Sequence, residues 1–205
     1  MPRVTAERVK ETKRELLDAA QQVLLEEGYS GLSTRRVAEA AGTQMSQIQY
    51  HFGSKEGMIL ALFEYLNDQL IDRQTKTFAN PDLSVSEKWA LSCDYLDDDI
   101  GSGYVRVLME LTAAGWSNPA IGAAVRAAYA EWRELILTLT RQVEEKTGSL
   151  GPFSAEDIVA LVSAAFIGSE AAIMLDYESP EIPFRQALRR FGKVIEYYET
   201  MDIGG

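Results

Sequence analysis

Residues 34–57, TRRVAEAAGTQMSQIQYHFGSKEG, decide the fold. Two short helical runs, TRRVAEAA and about Gln44 to Tyr50, meet at Gly42, where a left-handed backbone needs no Cβ. Ala38 is small where the two helices would cross. Ile48 is the apolar anchor of the second helix against the first, and Val37, Ala41 and Phe52 complete the seam. Two short helices joined by a tight turn form a helix-turn-helix pattern. Gly53-Ser54 then breaks the chain. Ser54 is placed to cap a longer helix to about Lys76, with Ile59, Leu62, Phe63, Leu66 and Leu70 facing inward.

The same reading extends in both directions. Upstream, Thr5 can cap a helix that places Leu16, Ala20, Val23 and Leu24 on one face and ends at Gly28. Ser33 or Thr34 caps the helix that follows. Downstream, a Ser84–Glu87 capping box starts a helix to about Asp98. IGSG (100–103) is a turn, and Tyr104 to about Gly115 is a helix. Asn118-Pro119 opens a helix to Thr147 with Ile121, Val125, Ala128, Trp132, Leu135, Leu139 and Val143 at near-heptad spacing. Ser154 caps a helix from Ala155 to about Tyr177, and Phe184 to about Met201 forms the last. No strand pattern or internal repeat interrupts this series. The expected fold class is all-α, with about nine helices.

Composition narrows the function. The chain has 205 residues, 46% of them hydrophobic and 25% charged, as expected of a globular protein. The net charge of −11 argues against a general nucleic-acid coat protein. The charge is unevenly spread. Residues 1–60 hold eight basic and eight acidic side chains, so the whole excess of acid lies in residues 61–205. One cysteine, Cys93, excludes an internal disulfide and fits a cytoplasmic protein. The N-terminus lacks the apolar core of a signal peptide. The apolar run Ile158 to Leu175 is interrupted by Glu170, so it reads as a buried helix and no membrane is expected. The chain's single histidine, His51, and the distant Cys93 do not make a metal set. GxxxxGK[ST] is absent and no nucleophile–base pair stands out, so no cofactor, metal or enzymatic activity is expected. Asp97-Asp98-Asp99 point to different sides of a helix and read as a solvated helix end.

The segment GLSTRRVAEAAGTQMSQIQYHFGSKEGMI resembles the N-terminal DNA-binding motif of TetR-family transcriptional regulators. The resemblance runs from about Leu16 to Leu62 through EEGY, STRRVAEAAG, I-x-YHF and GSKE. The remaining 140 or so residues match that family in layout only. The resemblance implies a small helix-turn-helix domain over residues 1–53 and a larger helical ligand-binding and dimerisation domain over 54–205. In a helix-turn-helix the second helix enters the major groove with its N-terminal side chains on base edges. Those residues here are Thr43, Gln44, Met45, Ser46 and Gln47. Gln bonds adenine through N6 and N7, and Arg and Lys, the usual guanine readers, are missing, so A·T pairs are the expected preference. Thr34, Arg35 and Lys55 stand at helix starts suited to phosphate. The resemblance adds Tyr50 and His51 as backbone contacts. Arg3 and Arg8 could reach DNA from the N-terminal arm. Gln49 departs from the family, which often has Tyr there, and that puts one phosphate contact in doubt.

The helix 155–177 is apolar on both sides, which calls for burial on both. With the last helix it suggests a four-helix interface between two copies, through Ile158, Val162, Ala165, Ala172, Leu188, Phe191, Ile195 and Tyr198. The family dimerises in this way and binds palindromic operators. A regulator of this type also holds a small-molecule effector. Candidate lining residues are Trp89, Cys93, Met109, Trp116, Tyr129, Trp132, Phe166, Glu170 and Met174. A lone carboxylate in an apolar run is costly unless paired or hydrogen-bonded, so Glu170 is expected to pair with an Arg such as Arg106 or Arg126, to face an entrance, or to meet a cationic or hydroxylated ligand. The implied function is a repressor released from double-stranded operator DNA by a lipophilic small molecule. An activator of the same type, and a helical binding protein without DNA, remain the alternatives.

Overall fold

A computed structural model describes residues 6–200. Nine α-helices occur among them: α1 (Ala6–Gly31), α2 (Thr34–Ala40), α3 (Met45–Phe52), α4 (Lys55–Ala79), α5 (Val85–Gly101), α6 (Tyr104–Gly115), α7 (Pro119–Thr147), α8 (Ala155–Met174) and α9 (Phe184–Thr200). An isolated bridge between Ser179 and Ile182 is the sole β contact among the described residues. The expected cap at Thr5 and the arm residue Arg3 lie outside the described residues. By their contacts the residues divide into two compact units, 1–68 with 102–124 and 69–101 with 125–205, whose boundaries fall inside α4 and α7.

In the first unit, α1 turns the expected face inward: Leu16, Ala20, Val23 and Leu24 are all buried. Burial of such a side chain contributes about 1.5–3 kcal/mol. Gly28 leaves the helix at φ 73°, so the expected break is real although the turn to Gly31 continues the same element. α2 packs on α1, and α3 packs on α2. Tyr104 of α6 stacks on Phe63 at 5.7 Å, and its hydroxyl donates to Asn67 Oδ1 at 2.9 Å.

In the second unit, α5 packs chiefly on α9, and α8 on both. Trp89 is the pivot. Its indole N–H donates to the Leu188 carbonyl at 2.8 Å, and its ring meets Phe166 edge-on at 5.4 Å. Gly192 of α9 makes room for it, because a Cβ there would lie 2.9 Å from Trp89 Cδ1. The Ser84–Glu87 capping box forms as expected, with bonds of 2.8 and 3.1 Å. A second cap comes from far away in sequence. The Glu199 carboxylate accepts from the backbone N–H groups of Val85 and Ser86 at 2.8 and 3.0 Å.

Four expectations change in this unit. α8 stops at Met174 rather than near Tyr177. Asp176 takes a left-handed φ of 55°, and the amides of Asp176 and Tyr177 fold back onto the Ile173 and Ala172 carbonyls, which closes the helix. In α7, Ile136 and Leu137 are buried while Trp132, Leu135 and Val143 are half-buried, because a 3.6-residue helix drifts off a strict heptad. Asp99 is not solvated: it is buried and bonded to Arg73 at 2.5 Å, while Asp97 and Asp98 point outward to Arg185 and Arg73. Val162 and Leu188, expected at an interface between two copies, are buried in the core of this unit and form the floor of the groove edged by Leu161, Ala165 and Phe191.

Candidate nucleic-acid interface

The geometry of the helix-turn-helix follows from its caps. Ser33 is extended and its hydroxyl accepts from the Arg36 amide at 3.3 Å, which starts α2. α2 ends in a paired return. Gly42, at φ 61°, donates to the Glu39 carbonyl at 3.1 Å, and Thr43 donates to the Ala38 carbonyl at 2.9 Å. That is the Schellman arrangement, and it sets the angle at which the chain enters α3. Val37, Ala38 and Ile48 are buried at 0, 2 and 1% exposure, so the seam between the helices is dry. Ala41 and Phe52 are half-buried at its margin.

Burying Ile48 leaves the other faces of α3 outside. Gln44, Met45, Ser46, Gln47, Gln49 and Tyr50 are exposed, Met45 by 53% and Tyr50 by 71%. Gln44 is the N-cap by position, yet its side chain makes no cap bond, so its amide is left for other partners. Thr34 and Thr43 are half-buried, and Arg35 and Lys55 are exposed. The structure thus places Met45, Ser46 and Gln47 in the first turn of α3 with Thr43 and Gln44 just before it, Tyr50 and His51 in its last turn, and Thr34, Arg35 and Lys55 at the starts of α2 and α4.

The electrostatics are more balanced than the sequence suggested. Arg35 Nε bonds Glu39 at 2.9 Å. Arg36 bonds Glu27, and its Nη1 reaches Glu39 at 2.7 Å. The bonds from Arg36 hold the Glu27 carboxyl below its usual range, and those from Arg35 and Arg36 do the same for Glu39. Both arginines of α2 are therefore already engaged, Arg35 by Glu39 and Arg36 by Glu27 and Glu39. Burial, and next to it the charge of Lys13, lower the His51 pKa from its ordinary value.

Gly57 is a position that fixes how α3 meets α4, and sequence reading passed over it. A Cβ at Gly57 would lie 2.1 Å from the Phe52 carbonyl oxygen. The start of α4 is pressed against the end of α3 there, and Ser54 caps α4 by accepting from the Gly57 amide at 3.0 Å. The signal was present as a glycine inside a helical run, which helix propensity disfavours.

The candidate effector residues separate. Trp116 is 85% exposed in the turn after α6, so it lines no interior site. Met109 and Trp116 belong to the first unit; Trp89, Cys93, Tyr129, Trp132, Phe166, Glu170 and Met174 belong to the second. Phe166 joins Trp89 and Trp132 in one aromatic cluster, with Trp132 at 5.3 Å. Burial raises the Cys93 thiol to about 11, so it is inert at neutral pH. Burial, and next to it the charge of Asp99, raise the Glu170 carboxyl to about 8. No basic group contributes to that shift, so the expected pairing with Arg106 or Arg126 is not formed. On α8, Leu161, Ala164, Ala165 and Gly168 are exposed in a stripe, and on α9 Ala187, Phe191 and Val194 are. Ile158, Ala172, Ile195 and Tyr198 are half-buried.

Comparison with known proteins agrees with this geometry. Residues 16–62 match the family model described as bacterial regulatory proteins, tetR family. The chain is similar to the HTH-type transcriptional regulator CymR of Pseudomonas putida, 30% identical over 164 residues, which cover 78% of each chain. Among solved structures it is similar to a regulator from Saccharomonospora viridis in complex with choline, at a TM-score of 0.76 and 21% identity over 90% of this chain and 96% of that one. It is also similar to the regulator FadR of Bacillus subtilis in complex with stearoyl-CoA, at 0.71 and 16% identity over 87% and 96%.

Proposed function

The chain belongs to the tetR family of bacterial regulatory proteins and is a helix-turn-helix transcriptional regulator, and from that premise we propose how it reads DNA and how it is released. α3 lies in the major groove, where Gln44 and Gln47 read adenines and Met45 and Thr43 lie against thymine methyls. Thr34, Arg35, Tyr50, His51 and Lys55 hold the flanking phosphates. The observation that carries this reading is the polarity of α3: Ile48 is 1% exposed while the residues from Gln44 to Gln47 are all exposed.

The chain acts as a homodimer on a two-fold operator. The support is α8, which is long and apolar enough to cross a membrane by length and composition, yet only 22% of that stretch is buried in the protomer. The exposed stripe of Leu161, Ala164, Ala165 and Gly168, beside Phe191 and Val194, is the surface a second copy covers. Small residues there let two backbones approach closely. The effector enters the second unit near Trp132 and Glu170 and is lipophilic with one polar group. Proteins of the same fold are found in complex with stearoyl-CoA and with choline, which supports a small-molecule effector. An effector that binds better to a dimer with the wrong spacing of α3 helices must weaken DNA binding, by linkage.

A gel shift with genomic fragments tests the proposal. The expected result is retention of a near-palindromic site, A·T-rich where α3 reads, lost in Gln44→Ala/Gln47→Ala. A protein that retains no fragment at low salt, or runs as a monomer at micromolar concentration, would overturn it.

A further inference from the structure

The interior of the second unit has two chemically different ends. Asp99 and Glu170 lie toward the C-terminal ends of α5 and α8. Toward the N-terminal ends of the same helices is a cavity of about 200 Å³ between α5, α7, α8 and α9, open to the outside where the exposed Phe153, Phe191 and Val194 line it. Val162, on its wall, and Glu170 are eight residues apart along α8, which is about 12 Å of helix. Phe166 stands between them, packed against Trp89 and Trp132. The aromatic cluster therefore separates the carboxylate end from the cavity.

Ile136, Leu139, Val143, Ile158 and Ile195 supply much of the cavity wall, and no lining residue is charged. Thr140 lines it too, but its hydroxyl already donates to the Ile136 carbonyl at 2.9 Å. Tyr198 brings its hydroxyl to the α7–α8 loop, where a Cβ on Gly151 would lie 3.9 Å from it. The indole N–H of Trp89, also on the wall, is already given to the Leu188 carbonyl at 2.8 Å, which leaves the Tyr198 hydroxyl as the polar group offered to a guest.

Size and lining fix the class of guest. An apolar cavity of about 150 Å³ stays dry and takes up benzene, while sites for drug-sized ligands begin at about 300 Å³. A charged guest would lose its hydration with nothing to replace it. We propose that this cavity is a second binding site, separate from the Glu170 end, for an uncharged single-ring hydrocarbon of alkylbenzene size.

The test is calorimetric titration of the full-length protein with toluene, and with benzoate as the charged probe. The expected result is saturable binding of one toluene per chain and none of benzoate over the same range. Val143→Phe and Ile195→Phe each fill the cavity and weaken toluene binding at least tenfold; either one suffices if the other does not fold. Glu170→Gln leaves toluene binding unchanged. On the wild-type protein, toluene protons show nuclear Overhauser contacts to the Ile136 and Ile195 methyls. Absence of saturable binding up to the solubility limit overturns the proposal, whether the cavity is empty or filled by a second copy. Equal binding of benzoate, unchanged affinity in the filled variants, or missing methyl contacts does so as well. Operator binding measured without toluene reports only on the regulator reading, so the two can fail separately.

Discussion

Gly57→Ala sets two effects of opposite sign against each other. Helix propensity alone favours alanine over glycine by about 1 kcal/mol, and less in a first turn. Packing opposes it. The new Cβ would stand 2.1 Å from the Phe52 oxygen and 3.3 Å from its carbonyl carbon, where real Cβ atoms keep at least 3.0 Å. The obstacle is main chain, held in place because the Phe52 carbonyl accepts from the Ser54 amide at 2.8 Å. The end of α3 and the start of α4 must therefore part by roughly an ångström. Overpacking of this kind costs about 1–3 kcal/mol, and a backbone obstacle puts it at the upper end. The net is about 2 kcal/mol of destabilisation, a fall of about 4–8 °C in melting temperature for a chain of this length. The shift also moves Tyr50 and Lys55 relative to each other, so operator affinity falls at least tenfold, or about 1.4 kcal/mol. Thermal unfolding followed by circular dichroism and an anisotropy titration with operator DNA measure both. Gly42→Asn is the control, since asparagine tolerates the left-handed turn and nothing lies within 4 Å of its Cβ. A Gly57→Ala protein that melts as high as wild type and binds operator equally well refutes the reasoning.

Three other outcomes are expected. Glu39→Gln frees Arg35 and Arg36 from a shared competitor, so operator affinity rises about threefold, in line with an exposed ion pair; the salt slope steepens by up to about 0.9 per added phosphate contact. Unchanged affinity and slope would show that the arginines do not reach phosphate. Gln44→Ala and Gln47→Ala each lose about 1–3 kcal/mol of discrimination at an A·T position, read by titrating single-base operator variants. Glu170 holds its proton in the folded state up to about pH 8, against an ordinary 4.5. The native state then binds more protons than the unfolded one, so stability falls as pH rises from about 4.5 to 8 and levels above that. Glu170→Gln removes this part of the slope in urea titrations across that range, and an identical slope in both proteins would contradict it.

The sequence by itself determined what is local. Ser33, Gly42, Gly53, Ser84 and Ser154 act on amides and carbonyls within a few residues, so caps and breaks were legible in order. The seam of Val37, Ala38 and Ile48, and the polar leading edge of α3, follow from helical spacing alone. Spacing gives a face, but it does not name what the face meets. Glu199 reaching the start of α5, Gly192 admitting Trp89, and Gly57 touching Phe52 depend on the register between helices, which no periodicity encodes. The same holds for Asp99, whose neighbours in sequence are solvated while its side chain turns inward to Arg73. α8 was apolar on both sides in the sequence. Tertiary packing chose Val159, Val162 and Phe166 for the core and left Leu161 and Ala165 outside, because the groove formed by α5 and α9 accepts only one of the two faces.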